Sequence, residues 1–132
     1  MYAARSRRHG RGVFARRRFR TGEVVECCPI LRVSARDRAA LERTGLRGYV
    51  YHRPRGAGAL ALGLGSLYNH ASDPNAACEL DLDDDCLVIT SRRPIAAGEE
   101  ITISYGDDSD LWFDARDDAL SPSRNGAARR RR

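Results

Sequence analysis

Turn-forming residues divide this chain into short segments, and their spacing constrains the fold more than any other feature of the sequence. Clusters of glycine, proline and aspartate leave runs of three to ten residues between them. Runs of this length that are rich in β-branched and other apolar residues predict strands rather than helices. The predicted strands are 13–15, 24–33, 49–52, 60–62, 76–82, 86–90 and 101–105.

Local chemistry adds detail to these strands. Ser34 is a suitable cap for a helix over residues 35–43, because its hydroxyl can accept from a backbone N–H of the first turn. The aspartates at 83–85 form a turn that joins two predicted strands as a hairpin. Pro29 cannot donate to a strand ladder, so part of 24–33 is expected to be an edge or a bulge. The predicted class is mainly β, with one or two small helices.

The chain has 132 residues and a net charge of +5, a length that indicates one domain. We predict a basic disordered arm over residues 1–8, a domain over 9–116 and an arginine-rich disordered tail over 117–132. Residues 1–20 hold eight arginines and no acid, and the tail holds five arginines against two aspartates. The excess positive charge therefore lies at the two ends, while the part between them is acidic.

The charge distribution allows more than one kind of partner. Terminal arginines can make weak, sequence-blind contacts with nucleic-acid phosphates, or they can be solvated tails, and we favour the tails. The acidic groups within 79–85 and 107–118 would attract a basic protein or peptide.

The sequence excludes several classes of protein. No apolar run approaches the ~20 residues of a membrane span, and no apolar stretch follows the arginine-rich start to make a secretory signal, so we expect a cytoplasmic protein. The cysteines at positions 27, 28, 78 and 86 contain no C-x-x-C pair, and the chain has three histidines. These counts argue against a structural zinc site, and in a reducing compartment we expect reduced thiols.

Three segments contain several residues that are suited to binding a ligand or to catalysis. Residues 9–15 read HGRGVFA, residues 67–75 read LYNHASDPN and residues 98–107 read GEEITISYGD. Paired glycines let backbone approach a ligand, Asn-His and Pro-Asn pairs supply hydrogen-bonding groups, and a tyrosine beside a glycine can direct its hydroxyl into a cavity. Taken singly, the segments are also typical of a glycine turn, an Asx turn beside a buried histidine, and a core tyrosine.

In this order, G-R-G-V-F-A, Y-N-H-A-S-D-P-N and G-E-E-I-T-I-S-Y-G resemble the SET-domain protein lysine methyltransferases over about residues 8–114. The resemblance implies a SET-domain fold of several short β-sheets. In that fold, the segment around Asn69 and the C-terminal strand and tail pass one through a loop of the other as a pseudoknot. It also implies S-adenosylmethionine as methyl donor and a lysine side chain of a basic protein or peptide as acceptor, and this transfer needs no metal.

The resemblance further implies roles for individual residues. The catalytic residues would be Tyr105 and Tyr68, and Tyr51 would join them as a wall of the lysine channel. The cofactor site would take in the glycine turn and the two later motifs, namely Gly10, Arg11, Gly12, Phe14, Asn69, His70, Tyr105 and Trp112.

These residue types suit methyl transfer from a sulfonium to an amine. Such an in-line displacement needs a neutral amine, a straight approach and no competing water. A lysine has a solution pKa of about 10.4, so an apolar channel helps by favouring the neutral form. Tyr105 is a poor general base at neutral pH, and we interpret it as orienting the amine and stabilising the positive methyl through its oxygen, while aromatic walls add cation–π attraction.

Three features depart from the family pattern. Residues 69–72 read Asn-His-Ala-Ser in place of Asn-His-Ser-Cys, a change that we expect to be tolerated. Asp107 stands two residues after Tyr105, where many members carry a phenylalanine or tyrosine that controls the number of methyl groups. No cysteine follows Tyr105 to form the zinc-binding segment that closes the channel in most eukaryotic members. Trp112, Phe113 or a second subunit are the candidates to cover the cofactor, and the chain is expected to be a monomer or a homodimer.

Two other functions compete with methyl transfer. One is a catalytically silent SET-like module that binds a peptide or the cofactor, and the other is a nucleic-acid-associated protein that uses the arginine arms. The presence of Tyr105 and Asn69 favours the enzyme, and turnover of the cofactor separates it from the silent module.

Overall fold

The computed structural model describes residues 1–105, and most of its regular elements are strands. They are β1 (Tyr2–Arg5), β2 (Arg11–Phe14), β3 (Val24–Val33), β4 (Val50–His52), β5 (Gly58–Ala61), β6 (Asn69–His70), β7 (Ala76–Asp81), β8 (Cys86–Ser91) and β9 (Glu100–Ile103). The described part also contains a helix, α1 (Ala35–Leu41), and two 3-10 turns, Arg47–Tyr49 and Pro54–Gly56. The mainly β class predicted from the turn spacing is confirmed.

The strands form two sheets around one apolar core. The first sheet has the order β1-β2-β9-β6, and the second has the order β4-β5-β3-β8-β7. Neighbouring strands are antiparallel apart from β6 and β9, which run parallel. Buried side chains of both sheets belong to the same cluster, with Val13 and Ile101 from the first and Cys28 and Ile89 from the second.

The helix α1 begins where its capping residue predicts. The Ser34 hydroxyl accepts a hydrogen bond of 3.1 Å from the Asp37 backbone N–H, which satisfies a donor that the first turn leaves without a helical partner. The helix ends at Leu41, two residues before the predicted end. Within residues 1–105, no helix combines the length and the apolar character that crossing a bilayer requires.

Strand β3 changes neighbours at Pro29. Residues up to Pro29 pair with β8, and residues from Ile30 onward pair with β5. The proline therefore lies where the strand passes from one partner to the other, and its carbonyl accepts from the Leu62 N–H at 2.8 Å. The strand also has a register shift between Val24 and Glu26, which is not at the proline from which an edge or a bulge was predicted.

The disordered arm expected over residues 1–8 is wrong for its first half, because Tyr2–Arg5 form the edge strand β1. A turn closed by the Ser6 N–H donating to the Gly10 carbonyl at 3.0 Å folds β1 back onto β2. The Tyr2 ring stacks on the Phe14 ring with 5.7 Å between centroids. The pairing of the β1 backbone with β2 holds this segment in place. Because the pairing is made by backbone groups, the composition of a short basic segment does not reveal it.

The expectation of four reduced thiols is also corrected. Cys27 and Cys86 form a disulfide across neighbouring strands, with 6.1 Å between their Cα atoms and a sequence separation of 59. Cys28 and Cys78 are free thiols, the first buried and the second partly buried, as expected. The register of β3 against β8 brings the two bonded cysteines together, and cysteine spacing alone does not determine that register.

Candidate active site

The structure brings together the three segments that the sequence singled out. Strand β6, which carries Asn69 and His70, runs beside β9, and β2, which follows the glycine turn, pairs with the other edge of β9. Tyr105 stands two residues after the end of β9. One strand therefore holds the glycine turn, the Asn-His pair and the tyrosine next to one another.

Asn69 ties the glycine turn to the first sheet. Its side chain is 6% exposed, and its amide nitrogen donates to the backbone carbonyls of His9 at 3.0 Å and Arg11 at 3.2 Å. The same nitrogen donates to Glu100 Oε1 at 2.8 Å, and the Glu100 carboxylate also accepts from the Ser6 hydroxyl. The amide thus sets the position of the backbone on both sides of Gly10.

The two glycines of the turn have different physical reasons to be glycine. Gly10 has φ +48°, a left-handed conformation that side chains disfavour. A Cβ on Gly12 would lie 2.2 Å from Glu100 Oε1 and 3.0 Å from the amide nitrogen of Asn69. Gly12 therefore lets β2 approach the Asn69–Glu100 pair, a structural role beside the cofactor role implied by the resemblance.

His70 positions the backbone that leads into Tyr105. The ring is 3% exposed, and its Nδ1 accepts from the Tyr105 backbone N–H at 3.1 Å. A neutral imidazole that accepts at Nδ1 carries its hydrogen on Nε2. The two rings lie 5.5 Å apart between centroids, so a buried histidine determines where the tyrosine leaves the sheet.

Tyr105 is oriented by its hydroxyl as well as by its backbone. The hydroxyl donates to the backbone carbonyl of Tyr68, while 38% of the residue stays exposed. Because the hydrogen is directed to that carbonyl, the phenolic oxygen presents its lone pairs as acceptors. This orientation suits attraction to a positive or donating group and does not suit removal of a proton.

Tyr68 is buried and Tyr51 is partly buried, and both are neutral. The Tyr68 hydroxyl donates to Glu26 Oε2 at 2.6 Å, and the Tyr51 hydroxyl donates to the Gly65 carbonyl at 2.7 Å. Burial raises the pKa of both phenols well above the ordinary value, and the Glu26 carboxylate raises the pKa of Tyr68 further. Tyr68 acts on Tyr105 through its backbone carbonyl, because its own hydroxyl is used on Glu26.

Glu26 is a residue of this site that the sequence analysis missed. Its Oε2 accepts from Tyr68, and its Oε1 accepts from the Leu64 backbone N–H at 3.2 Å. A Cβ on Gly63 would lie 2.9 Å from Oε1, so the loop before Tyr68 closes over the carboxylate. A single glutamate inside the apolar run VVECCPIL is the signal that points to it.

Asn75 has a structural role that its motif did not reveal. It is 2% exposed, its amide nitrogen donates to the Glu100 carbonyl at 2.8 Å, and its side-chain oxygen accepts from the Thr102 N–H at 2.8 Å. The Pro-Asn half of the second segment therefore fastens the loop after β6 to β9.

The remaining predicted residues are less central. Arg11 is exposed at the start of β2, and the ring of Phe14 packs on Tyr2, so neither contacts the Asn-His pair through a described side-chain bond. Trp112 and Asp107 lie outside the described residues, as does the tail that would complete the predicted pseudoknot.

Comparisons with known proteins agree with this geometry. A family model described as "SET domain" matches residues 10–106. A Schizosaccharomyces pombe protein named "Histone-lysine N-methyltransferase, H3 lysine-37 specific" is 38% identical over 118 residues, which cover 89% of this chain and 78% of the relative.

Solved structures agree as well. The crystal structure of a Plasmodium falciparum protein described as a histone methyltransferase is 29% identical and superposes with a TM-score of 0.66, covering 84% of this chain and 94% of that one. The Neurospora SET domain protein DIM-5, a histone lysine methyltransferase, is 18% identical with a TM-score of 0.62 over 80% of this chain and 51% of its own. At that lower identity, the likeness concerns the fold alone.

Proposed function

Since this chain belongs to the SET domain family, we propose that it methylates lysine side chains of histones. It is a protein-lysine methyltransferase that uses S-adenosylmethionine as methyl donor. The observation that carries its chemistry is the Tyr105 hydroxyl, which donates to the Tyr68 carbonyl and so presents its oxygen at the exposed edge of the site.

The residues at the site fit the cofactor. Around Gly10 the backbone borders open space, because a Cβ there would meet no atom within 4 Å. The carbonyls of His9 and Arg11 are held in place by Asn69, so the turn is preorganised. We propose that the turn over residues 10–12, together with Asn69, His70 and Tyr105, holds S-adenosylmethionine, while the contributions of Phe14 and Trp112 stay predictions.

The chain's own residues would then promote the displacement in three ways. The cofactor supplies an electrophilic methyl group on a sulfonium. Tyr68, which is buried, and Tyr51, which is partly buried, line an environment that disfavours charge, and this helps the substrate amine to lose its proton before the reaction. The oxygen of Tyr105 attracts the positive end of the reacting groups and keeps the amine on the line of attack.

A histone substrate is supported by the relative's printed activity and by charge. The hairpin of β7 and β8 carries exposed or partly exposed acids at its turn, namely Glu79, Asp81, Asp83, Asp84 and Asp85. Of these, Asp85 pairs with Arg32 at 2.5 Å, and the others leave an acidic surface that attracts a basic peptide. Chromatin is then the proposed place of action, in place of the cytoplasmic location expected from the sequence.

The proposed function is tested by methyl transfer to histones. The full chain is incubated with S-adenosylmethionine and each core histone, and mass spectrometry of the intact and digested histones counts and locates the added methyl groups. We expect one or more methyl increments on a lysine. Calorimetric binding of S-adenosylmethionine without transfer to any histone would instead favour the catalytically silent module, and absence of both would contradict the proposal.

The rate of transfer is expected to increase with pH. A free lysine amine has a pKa of about 10.4, so kcat/KM should rise by up to about tenfold per pH unit below that value. Since burial raises the pKa of Tyr51 and Tyr68, both phenols stay protonated beyond about pH 10, the ordinary tyrosine value, and their hydrogen bonds persist. A pH profile on a histone peptide measures this. A loss of rate between pH 8 and 9 that coincides with tyrosine ionisation in the ultraviolet spectrum would contradict it.

A further inference from the structure

Two arginine-rich turns meet at one place on the surface. The backbones of Phe19 and Ile95 exchange two hydrogen bonds of 2.9 and 3.0 Å, and the Gly22 N–H donates to the Ser91 carbonyl at 2.8 Å. Phe19 and Ile95 are buried, so the two turns share an apolar support. Their arginines are all exposed and form what we call the arginine ridge: Arg16, Arg17, Arg18, Arg20, Arg92 and Arg93.

The ridge is strongly positive after its own ion pairs are counted. Within the described residues, Arg17 pairs with Glu23 at 2.7 Å and Arg93 pairs with Glu99 at 2.8 Å. These two carboxylates offset two of the six guanidinium charges. Four positive charges are left on a small area, which is unfavourable unless an anionic partner or counterions lie over them.

Part of the ridge is held in a fixed conformation. The Arg17 guanidinium lies over the Phe19 ring at 4.2 Å from its centroid, and the Arg16 guanidinium lies over the Tyr2 ring at 5.3 Å. Beside them, Arg17, Arg18, Arg20, Thr21, Gly22 and Glu23 line a depression of about 710 Å³. Stacked guanidiniums lose less conformational entropy on binding, and their planar donors match phosphate oxygens.

We propose that the arginine ridge binds the phosphodiester backbone of a double-stranded nucleic acid without reading its sequence. Phosphate contacts by arginine give this kind of affinity. Within residues 1–105, no helix or strand projects from the ridge to enter a groove, because both segments are turns. An acidic protein is disfavoured as the partner, since the centre of a protein interface is enriched in aromatic side chains and depleted of charged ones, whereas Phe19 and Ile95 are buried beneath the ridge.

The ridge differs from the terminal arms that the sequence suggested. It lies within the folded part of the chain. Its first member, Arg16, follows Gly12 of the glycine turn by four residues, a distance of about 13 Å along an extended strand. The segment from Ala15 onward pairs with 95–99, which precede β9, whereas Tyr105 follows the end of that strand. The ridge shares no residue with the site assigned to methyl transfer, and the proposal does not depend on that activity.

The test compares two triple variants of the full chain. The ridge variant replaces Arg16, Arg18 and Arg20 with glutamine, and it keeps both ion-paired arginines. The control variant replaces three exposed arginines around α1 with glutamine and so removes the same charge: Arg36, Arg43 and Arg55. Fluorescence anisotropy then measures the affinity of each protein for a labelled DNA duplex, a labelled RNA duplex and a labelled polyglutamate over a range of salt concentrations.

We expect the ridge variant to bind a duplex at least tenfold more weakly than the control variant at the same salt. The number of counterions released on binding, which the salt dependence of the affinity measures, should fall by roughly two to three relative to the unchanged protein. Circular dichroism should show that both variants are folded, and their rates on a histone peptide should be unchanged. The proposal is overturned if the two variants lose affinity equally, if neither duplex binds, or if polyglutamate binds through the ridge while the duplexes do not.

Discussion

The Tyr105→Phe variant is expected to lose about 100-fold or more in kcat while S-adenosylmethionine binds within a fewfold of its original affinity. The phenolic oxygen is the polar atom that the site presents to the reacting groups, and removal of one such preorganised group costs this much in other enzymes. Because the hydroxyl also donates to the Tyr68 carbonyl, a small loss of stability of about 1 kcal/mol should accompany the change.

A matched control separates chemistry from the loss of a hydroxyl. Tyr49 is 45% exposed, lies in the 3-10 turn Arg47–Tyr49, and is not among the residues assigned to the site. Tyr49→Phe removes the same atom and should leave kcat unchanged. Single-turnover kinetics on a histone peptide, with calorimetry for the cofactor, measure both effects. If Tyr105→Phe retained nearly full kcat, the role assigned to the oxygen would be wrong.

Replacing Asn69 with alanine is expected to reduce both stability and cofactor affinity. The amide nitrogen donates to the carbonyls of His9 and Arg11 and to the Glu100 carboxylate. Its removal leaves partly buried acceptors without this donor and should cost about 2–4 kcal/mol of the free energy of unfolding. Since the same bonds position the glycine turn, the affinity for S-adenosylmethionine should fall by about tenfold or more.

Asn75→Ala is the comparison that separates these two losses. Asn75 is also buried and also bonds to β9, but none of its bonds among residues 1–105 reaches the glycine turn. It should destabilise the fold by a similar amount while the folded protein keeps its cofactor affinity. Urea unfolding measures the free energy of unfolding of both variants. Calorimetry at a temperature below both of their melting temperatures measures their affinity for S-adenosylmethionine. Equal loss of cofactor affinity in both variants would mean that Asn69 acts only through general stability.

The predicted site was partly visible in the sequence because its motifs are local. Asn69 and His70 are neighbours in the chain, and Gly10 and Gly12 belong to one turn. Their partners are far away in the chain, since Asn69 bonds to Arg11 and Glu100 across 58 and 31 residues. No periodicity or spacing encodes such a pair, so Glu26 and Glu100 were missed although both lie in predicted strands or turns.

The two features that the sequence did not predict, strand β1 and the disulfide, have the same physical cause. Strand β1 exists because its backbone pairs with β2 in the register Tyr2↔Phe14 to Arg5↔Arg11, while its two alanines have weak strand preferences. The bond between Cys27 and Cys86 joins residues brought together by the pairing of β3 with β8. In both cases the decisive contact is between chain segments, and composition describes only the segments themselves.

The sequence by itself determined the strand-rich class, the turns and the motifs that place this chain in its family, because these depend on residues within a few positions of one another. Only the tertiary structure decided that the amide of Asn69 holds the glycine turn, that Tyr105 donates to Tyr68, and that the arginines of two separate turns form one ridge. Strand register and the shared core bring distant residues to within hydrogen-bond distance, and these are properties of the whole packed chain.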